Sequence, residues 1–247
     1  DYADQSLCFY DLAGRRYLAS SYLNKLYYNP TVTYKTPLKA DGSVVNTVSF
    51  TSALVDGYDS GSSRINLSNN YRAIMSGSAN GTSTGARANF TVSPDGAAGA
   101  AFYFTFNAGC SSAYSDSCYT YRTLSTTAEK QNFANWYSFY RNRALATVSA
   151  ASIAFADLPA STRLTWQGLT TCTELNSADE CNGRDNRFRI YDNAQRGRLF
   201  DWMQSMTFPS NTPLRAALSR AGEFLKKDVA WEKFPNATGN TTANTYA

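Results

Sequence analysis

The rhythm of apolar and polar positions changes near residue 126. Before it, short segments rich in β-branched and aromatic residues alternate with turn signals. LYYNPTVTY (26–34), VNTVSFTSALV (45–55), ANFTVS (88–93) and AAFYFTF (100–106) read as strands. Asn29-Pro30, Asp41-Gly42, Asp56-Gly57, Asn80-Gly81 and Asp95-Gly96 punctuate them. The stretch from Ser76 to Asn89, made largely of Gly, Ser, Thr and Asn, reads as a mobile loop. After residue 126 the period becomes helical. Thr126-x-x-Glu129 is a capping-box pattern. Phe133, Tyr137, Tyr140, Ala144, Val148, Ala151 and Phe155 follow at steps of three or four, so one long helix is expected, ended by Pro159. RLTWQGL (163–169) and RFRIY (187–191) read as strands, and a second helix as running over about 193–206. A third opens at Thr212-Pro213, with Thr212 as N-cap and Leu214, Ala217, Leu218, Ala221 and Leu225 as its apolar stripe. PNATGNTTANTYA at the end reads as polar loop. Strands followed by strand–helix alternation is α/β texture.

Composition narrows the chemistry. The 247 residues contain no histidine. Ser-His and Cys-His nucleophile pairs and His-ligated metal sites are therefore excluded. A net charge of +4 is too mild to argue for nucleic acid, and no apolar run is long enough to span a bilayer. The five cysteines form no Cys-x-x-Cys pair. Cys110 with Cys118, and Cys172 with Cys181, bracket short loops, and both pairs are expected to be disulfides of an oxidising compartment. Cys8 is left for a partner outside the chain. Asn66, Asn80, Asn89, Asn236 and Asn240 each begin a glycosylation sequon, which matters only in a eukaryotic secretory host.

Three sets of side chains could carry function. Arg184, Arg187, Arg189, Arg196 and Arg198 form the strongest cationic cluster. We read it as a solvated strand edge paired with Asp185, Asp192 and Asp201, against the alternative of a site for an anionic partner. Asp56, Asp59, Asp179, Glu180 and Asp185 could supply oxygen ligands, but none lies in a calcium-loop pattern, and their spacing selects no glycosidase pair. The tyrosines (Tyr22, Tyr27, Tyr28, Tyr34, Tyr58, Tyr71, Tyr103, Tyr119 and Tyr121 among them) divide between core packing and a recognition surface. Tyr58, Tyr71 and Tyr103 are the residues we assign to a contact surface.

Three colinear segments carry a family resemblance. LYYNPTVTYKTPLKADGSVVNTVSFTSALVDGY (26–58), NFANWYSFYRNRALATVSAASIAF (132–155) and FDWMQSMTFPSNTPLRAALSRAGEF (200–224) together resemble the PilY/PilC-type tip adhesins of bacterial type IV pili. The resemblance implies a partial von Willebrand factor A-like, Rossmann-like α/β domain carrying a β-rich insertion. Residues 1–19 would follow a missing first strand, 20–125 would be the insertion, and 126–247 would be the helix-and-strand part of the A-like domain. Thr212 would occupy the threonine position of a metal-ion-dependent adhesion site holding Mg²⁺ or Ca²⁺. The Asp-x-Ser-x-Ser and Thr-Asp-Gly ligand segments of that site are not in this sequence. The chain would then be a middle slice of the domain, completed by flanking segments of the same protein. Implied partners are minor pilins at the pilus tip and host or abiotic surface ligands, bound outside the cell without catalysis. Nucleic acid and a membrane span are not implied. The competing reading is a secreted carbohydrate-binding or glycoside-hydrolysing β-rich domain.

Overall fold

The computed structural model describes residues 15–71, 74–76, 93–95, 99–177, 181, 183–206 and 212–228. Most of the ANFTVS segment, most of the 76–89 loop, Cys8, Asp179, Glu180 and the polar C-terminal stretch lie outside the described residues. The chain divides into two compact units. One comprises residues up to Pro37 plus Val44–Ala151, the other Leu38–Ser43 plus Ser152 onward. The contact boundary thus falls within a helix, about 25 residues beyond the change of texture at 126.

The described elements are mixed α and β. Strands β1 (Ala53–Leu54) and β2 (Arg64–Ile65) pair antiparallel, as do β3 (Ile74–Ser76) and β4 (Ser93–Asp95). Strands β5 (Phe102–Phe106) and β6 (Tyr119–Thr123) form the longest hairpin, with Phe104 opposite Tyr121 and Phe106 opposite Tyr119. Helices α1 (Thr127–Phe139) and α2 (Arg143–Ala156) follow. Strands β7 (Arg163–Leu164) and β8 (Arg189–Ile190) also pair antiparallel, before α3 (Asn193–Gln204) and α4 (Leu214–Leu225). Among the described residues all four sheets are two-stranded. The parallel layer expected of a Rossmann-like domain is not formed by the described residues: β7 and β8 are two residues each and satisfy one another.

Several expected strands are loops. Residues 26–34 contain no strand, and within 45–55 only Ala53 and Leu54 belong to one. Side chains of α1 take the place of a ladder. The Asn132 amide donates to the Val32 carbonyl at 2.8 Å, and its oxygen accepts the Tyr34 N–H at 2.8 Å. Asn135 donates to the Tyr34 carbonyl at 2.8 Å, Trp136 Nε1 to the Leu26 carbonyl at 2.9 Å, and the Tyr140 hydroxyl to the Lys35 carbonyl at 2.6 Å. β-branched and aromatic composition signalled burial here, and that burial is met by side-chain hydrogen bonds rather than by pairing.

The single long helix is two. Tyr140 leaves the helical region at φ −137°, and the Asn142 side chain then accepts the Leu145 N–H at 2.8 Å, capping α2. The last four carbonyls of α1 would be orphaned by this break. Trp136 O accepts the Tyr140 N–H at 2.8 Å, and Tyr137 O accepts Arg141 Nη1 at 2.6 Å. Ser138 O accepts the Gly57 N–H at 2.9 Å, and Phe139 O accepts the Ser149 hydroxyl at 2.7 Å. The Gly57 contact requires glycine, because a Cβ there would collide with the Phe139 ring and come within 2.7 Å of Ser138 O. Around this junction lies an aromatic core that includes Tyr27, Tyr28, Tyr71, Phe133 and Trp136. Tyr71 also exchanges backbone hydrogen bonds with Gly99, at 2.9 and 3.0 Å, pinning both ends of the 72–98 stretch.

In the second unit the third helix starts differently from expectation. Pro213, not Thr212, is the N-cap, and no side chain caps α4; Thr212 contributes its carbonyl to the Leu214 N–H at 2.8 Å. Only Ala217 and Phe224 of α4 are buried, while Leu214, Leu218 and Leu225 of the expected stripe are exposed. Buried amides again organise irregular backbone. Asn186 donates to the Trp166 and Glu174 carbonyls at 2.7 Å each and accepts the Ser177 N–H at 2.8 Å. Gln195 donates to the Leu164 and Arg187 carbonyls at 3.0 and 2.8 Å.

Two measurements check these anchors. Ser149→Ala leaves Phe139 O and the Tyr58 hydroxyl without their buried partner, and denaturant unfolding is expected to show a loss of about 1–3 kcal/mol; an unchanged midpoint contradicts the account. The capping box predicted at Thr126 and Glu129 is present, and hydrogen bonds from the Thr126 and Ser125 backbone and the Ser125 hydroxyl hold the Glu129 carboxyl down at about 2. Because its folded value lies below the ordinary 4.5, its contribution is complete above that pH and disappears as pH falls toward about 2. Acid titration of Glu129→Ala, about 1 kcal/mol less stable at neutral pH, should show that difference closing over the same window.

Candidate functional surface

The tyrosines assigned to contact are packed inside the first unit. Tyr58, Tyr71 and Tyr103 are 9, 4 and 8 % exposed. The Tyr58 hydroxyl meets Ser149 Oγ at 2.7 Å, and the ring lies edge-on to Phe139. Tyr103 packs against Tyr28. Tyr71 donates to the Tyr27 hydroxyl at 2.8 Å, and Tyr27 in turn donates to the Phe102 carbonyl at 2.8 Å. Burial pushes both of these hydroxyls above the ordinary tyrosine range. The physical reason is geometric: each ring packs into the core, and the Tyr58 and Tyr71 hydroxyls find internal partners, so these rings form no outward contact surface.

Among the described residues the tyrosines that face outward are Tyr22, Tyr114 and Tyr121. Tyr121 shares a face of the β5–β6 hairpin with Phe102, Phe104, Phe106 and Tyr119. Tyr22 lies flat on Phe106, with centroids 3.9 Å apart. Tyr114 comes from the loop between β5 and β6 and meets Tyr17 edge-on at 5.4 Å. Cys110 and Cys118 are disulfide-bonded across that loop, as expected, and so are Cys172 and Cys181. The Tyr119 hydroxyl donates to Ala113 O at 2.6 Å, fixing the loop from beneath. Tyr114 was passed over in the sequence; its usable signal was a lone aromatic among serines inside a disulfide bracket.

The arginine cluster turns inward. Asp185 accepts Arg187 at 3.0 and 2.7 Å and Arg189 at 2.5 Å. Burial works to raise the Asp185 carboxyl, but the Arg187 hydrogen bonds and the Arg189 charge outweigh it and hold it below the usual range. Arg196 donates to Ala40 O at 2.6 Å, and Arg198 reaches Gln195 Oε1 at 3.4 Å. Asp192 caps α3 by accepting the Gln195 N–H at 2.8 Å. The pairing expected with Asp185 is present, whereas the Asp192 carboxyl caps a helix instead and the arginines are half-buried rather than solvated.

Thr212 is exposed. Mg²⁺ and Ca²⁺ take six or more oxygen ligands, and one hydroxyl supplies one. No group of three or more Asp, Glu or Cys converges among the described residues, so those residues do not by themselves fit a cation site. In the second unit, Trp166, Leu175, Phe188 and Phe224, with Thr165 and Gln167, line an apolar cleft of about 220 Å³ with no carboxylate in its wall.

Comparison with known proteins adds what geometry alone does not carry. The chain is 37% identical over 243 residues to the type IV pilus biogenesis factor PilY1 of Pseudomonas aeruginosa strain PAK, covering 94% of this chain. Against PilY1 of strain PAO1 the identity is 35% over the whole chain, and against that of strain UCBPP-PA14 it is 39% over 87% of it. The chain is thus similar to one segment of PilY1. It spans about a fifth of the length of these PilY1 relatives. No family model and no solved structure matches it.

Removing the Cys110–Cys118 bridge tests how the exposed loop is held. Cys110→Ser/Cys118→Ser should destabilise the protein by about 2.5 kcal/mol through the freed short loop, read by thermal unfolding against the parent chain. A midpoint unmoved by the double change contradicts a structural role for the bridge.

Proposed function

We propose that this chain is a binding segment of a type IV pilus biogenesis factor, displayed outside the cell at the pilus tip. It acts by holding surface ligands and minor pilins rather than by turning over a substrate. The observation that carries this reading is similarity to a segment of PilY1 at 35–39% identity over 87–100% of this chain. The two disulfides suit an oxidising, extracytoplasmic setting. No described helix is long and apolar enough to cross a membrane. On this reading the described residues belong to a von Willebrand factor A-like domain, and a parallel sheet and a cation site including Thr212 would be completed by residues beyond those described. The competing reading is a secreted carbohydrate-binding or glycoside-hydrolysing domain; its hydrolytic form needs two carboxylates across a cleft, and the cleft described above has none in its wall.

The test is an in-frame deletion of this segment from the full-length protein in its own host. Surface attachment and pilus number, counted by electron microscopy, should fall together with the deletion and return with the complete gene. Wild-type piliation and attachment without the segment would overturn the reading.

A further inference from the structure

Tyr22, Tyr114 and Tyr121 are 46, 69 and 52 % exposed and come from three segments that converge on Tyr119. Phe106 pairs with Tyr119 and carries Tyr22 on its face; Tyr121 follows Tyr119 on the same side of β6; Tyr114 projects from the loop that Tyr119 holds. Burial, then the nearby Tyr22, Tyr114 and Asp116, push the Tyr119 hydroxyl up, as expected of a group at the centre of this cluster.

Cations border the rings. Arg16 lies 5.6 Å from the Phe104 centroid, with its side chain 44% exposed, and Lys25 Nζ lies 5.8 Å from the Tyr22 centroid. Among the described residues the carboxylate found with them is Asp116, 3.8 Å from Arg16 Nε. An arginine fork and an ammonium each keep donors beyond those already used.

We propose that this patch is a binding surface for an acidic polysaccharide, with the tyrosine rings taking the C–H faces of its sugars and Arg16 and Lys25 taking their carboxylates. The inference rests on the adhesive reading above and gives it a ligand class and a place. Charge complementarity selects an anionic occupant. The large exposed apolar side chains of the hairpin and its loop are tyrosines with no aliphatic among them, whereas the core of a protein interface is desolvated and charge-depleted. Rings edged by hydroxyls and cations suit a hydrated chain of sugars that is apolar on its faces and anionic at its edges. The disulfide, the Tyr119 hydrogen bond and the Tyr22–Phe106 stack hold the surface in advance, so little ordering is lost on binding.

The experiment measures binding of the full chain to immobilised polygalacturonate, dextran and poly-L-glutamate by biolayer interferometry. Polygalacturonate should bind, weakening as salt rises, and dextran should bind at least about tenfold less tightly. Tyr22→Ser/Tyr114→Ser should weaken polygalacturonate binding by about tenfold or more, with circular dichroism unchanged because both residues are exposed. Lys25→Glu, a separate surface change, should weaken it comparably. Equal affinity for poly-L-glutamate would overturn the glycan assignment in favour of an acidic protein surface. No binding to polygalacturonate, or binding untouched by either folded variant, would overturn the site. If those results came while the segment deletion still abolished attachment, the adhesive reading would stand and this patch alone would fall.

Discussion

Side-chain amides and hydroxyls bonded to the backbone of irregular segments hold both units in shape. Buried peptide groups must find partners, and the described strands are too short to supply many. In the first unit Asn132, Asn135, Trp136 and Tyr140 serve the 26–35 loop, while Gly57, Arg141 and Ser149 close the end of α1. In the second, Asn186 and Gln195 are fully buried and link carbonyls that no ladder reaches. Each such anchor is specific in direction and length, so the aromatic core packs around a backbone already fixed by polar contacts. Losing one partner leaves a buried acceptor empty, which costs more than the bond itself contributed.

This dependence explains what could be read from the sequence. Local grammar was legible: the Thr126–Glu129 box, both disulfides, the β5 strand and the starts and ends of α3 follow from neighbours a few residues apart. Segments anchored across about 100 residues were not. Tyr28 and Val32 sit in a β-like sequence that Asn132 turns into loop, and nothing near them announces it. Asn142 did offer a local sign, a capping residue inside the apparent long stripe, but the unbroken spacing of apolar residues across it masked the signal. The site was harder still. Tyr58 and Tyr114 are the same residue type, and only their hydrogen bonds and neighbours distinguish a core member from a surface one.

The two concentrations of charge and aromaticity play opposite parts. Arg187, Arg189 and Arg196 of the second unit are spent on Asp185 and on a backbone oxygen, which makes them cement. The aromatics of the first unit mostly form core, yet the same cluster continues outward through Phe106 and Tyr119 to rings that meet solvent. A surface built as the outer edge of a core inherits its rigidity.

The paired hydrogen bonds between Tyr71 and Gly99 have an evolutionary corollary. Whatever lies between these two residues begins and finishes at one fixed doorway, and because the bonds are made by peptide groups a change of length between them leaves the doorway closed. Natural variants should therefore accommodate gaps between residues 72 and 98 while the two flanking positions keep their pairing.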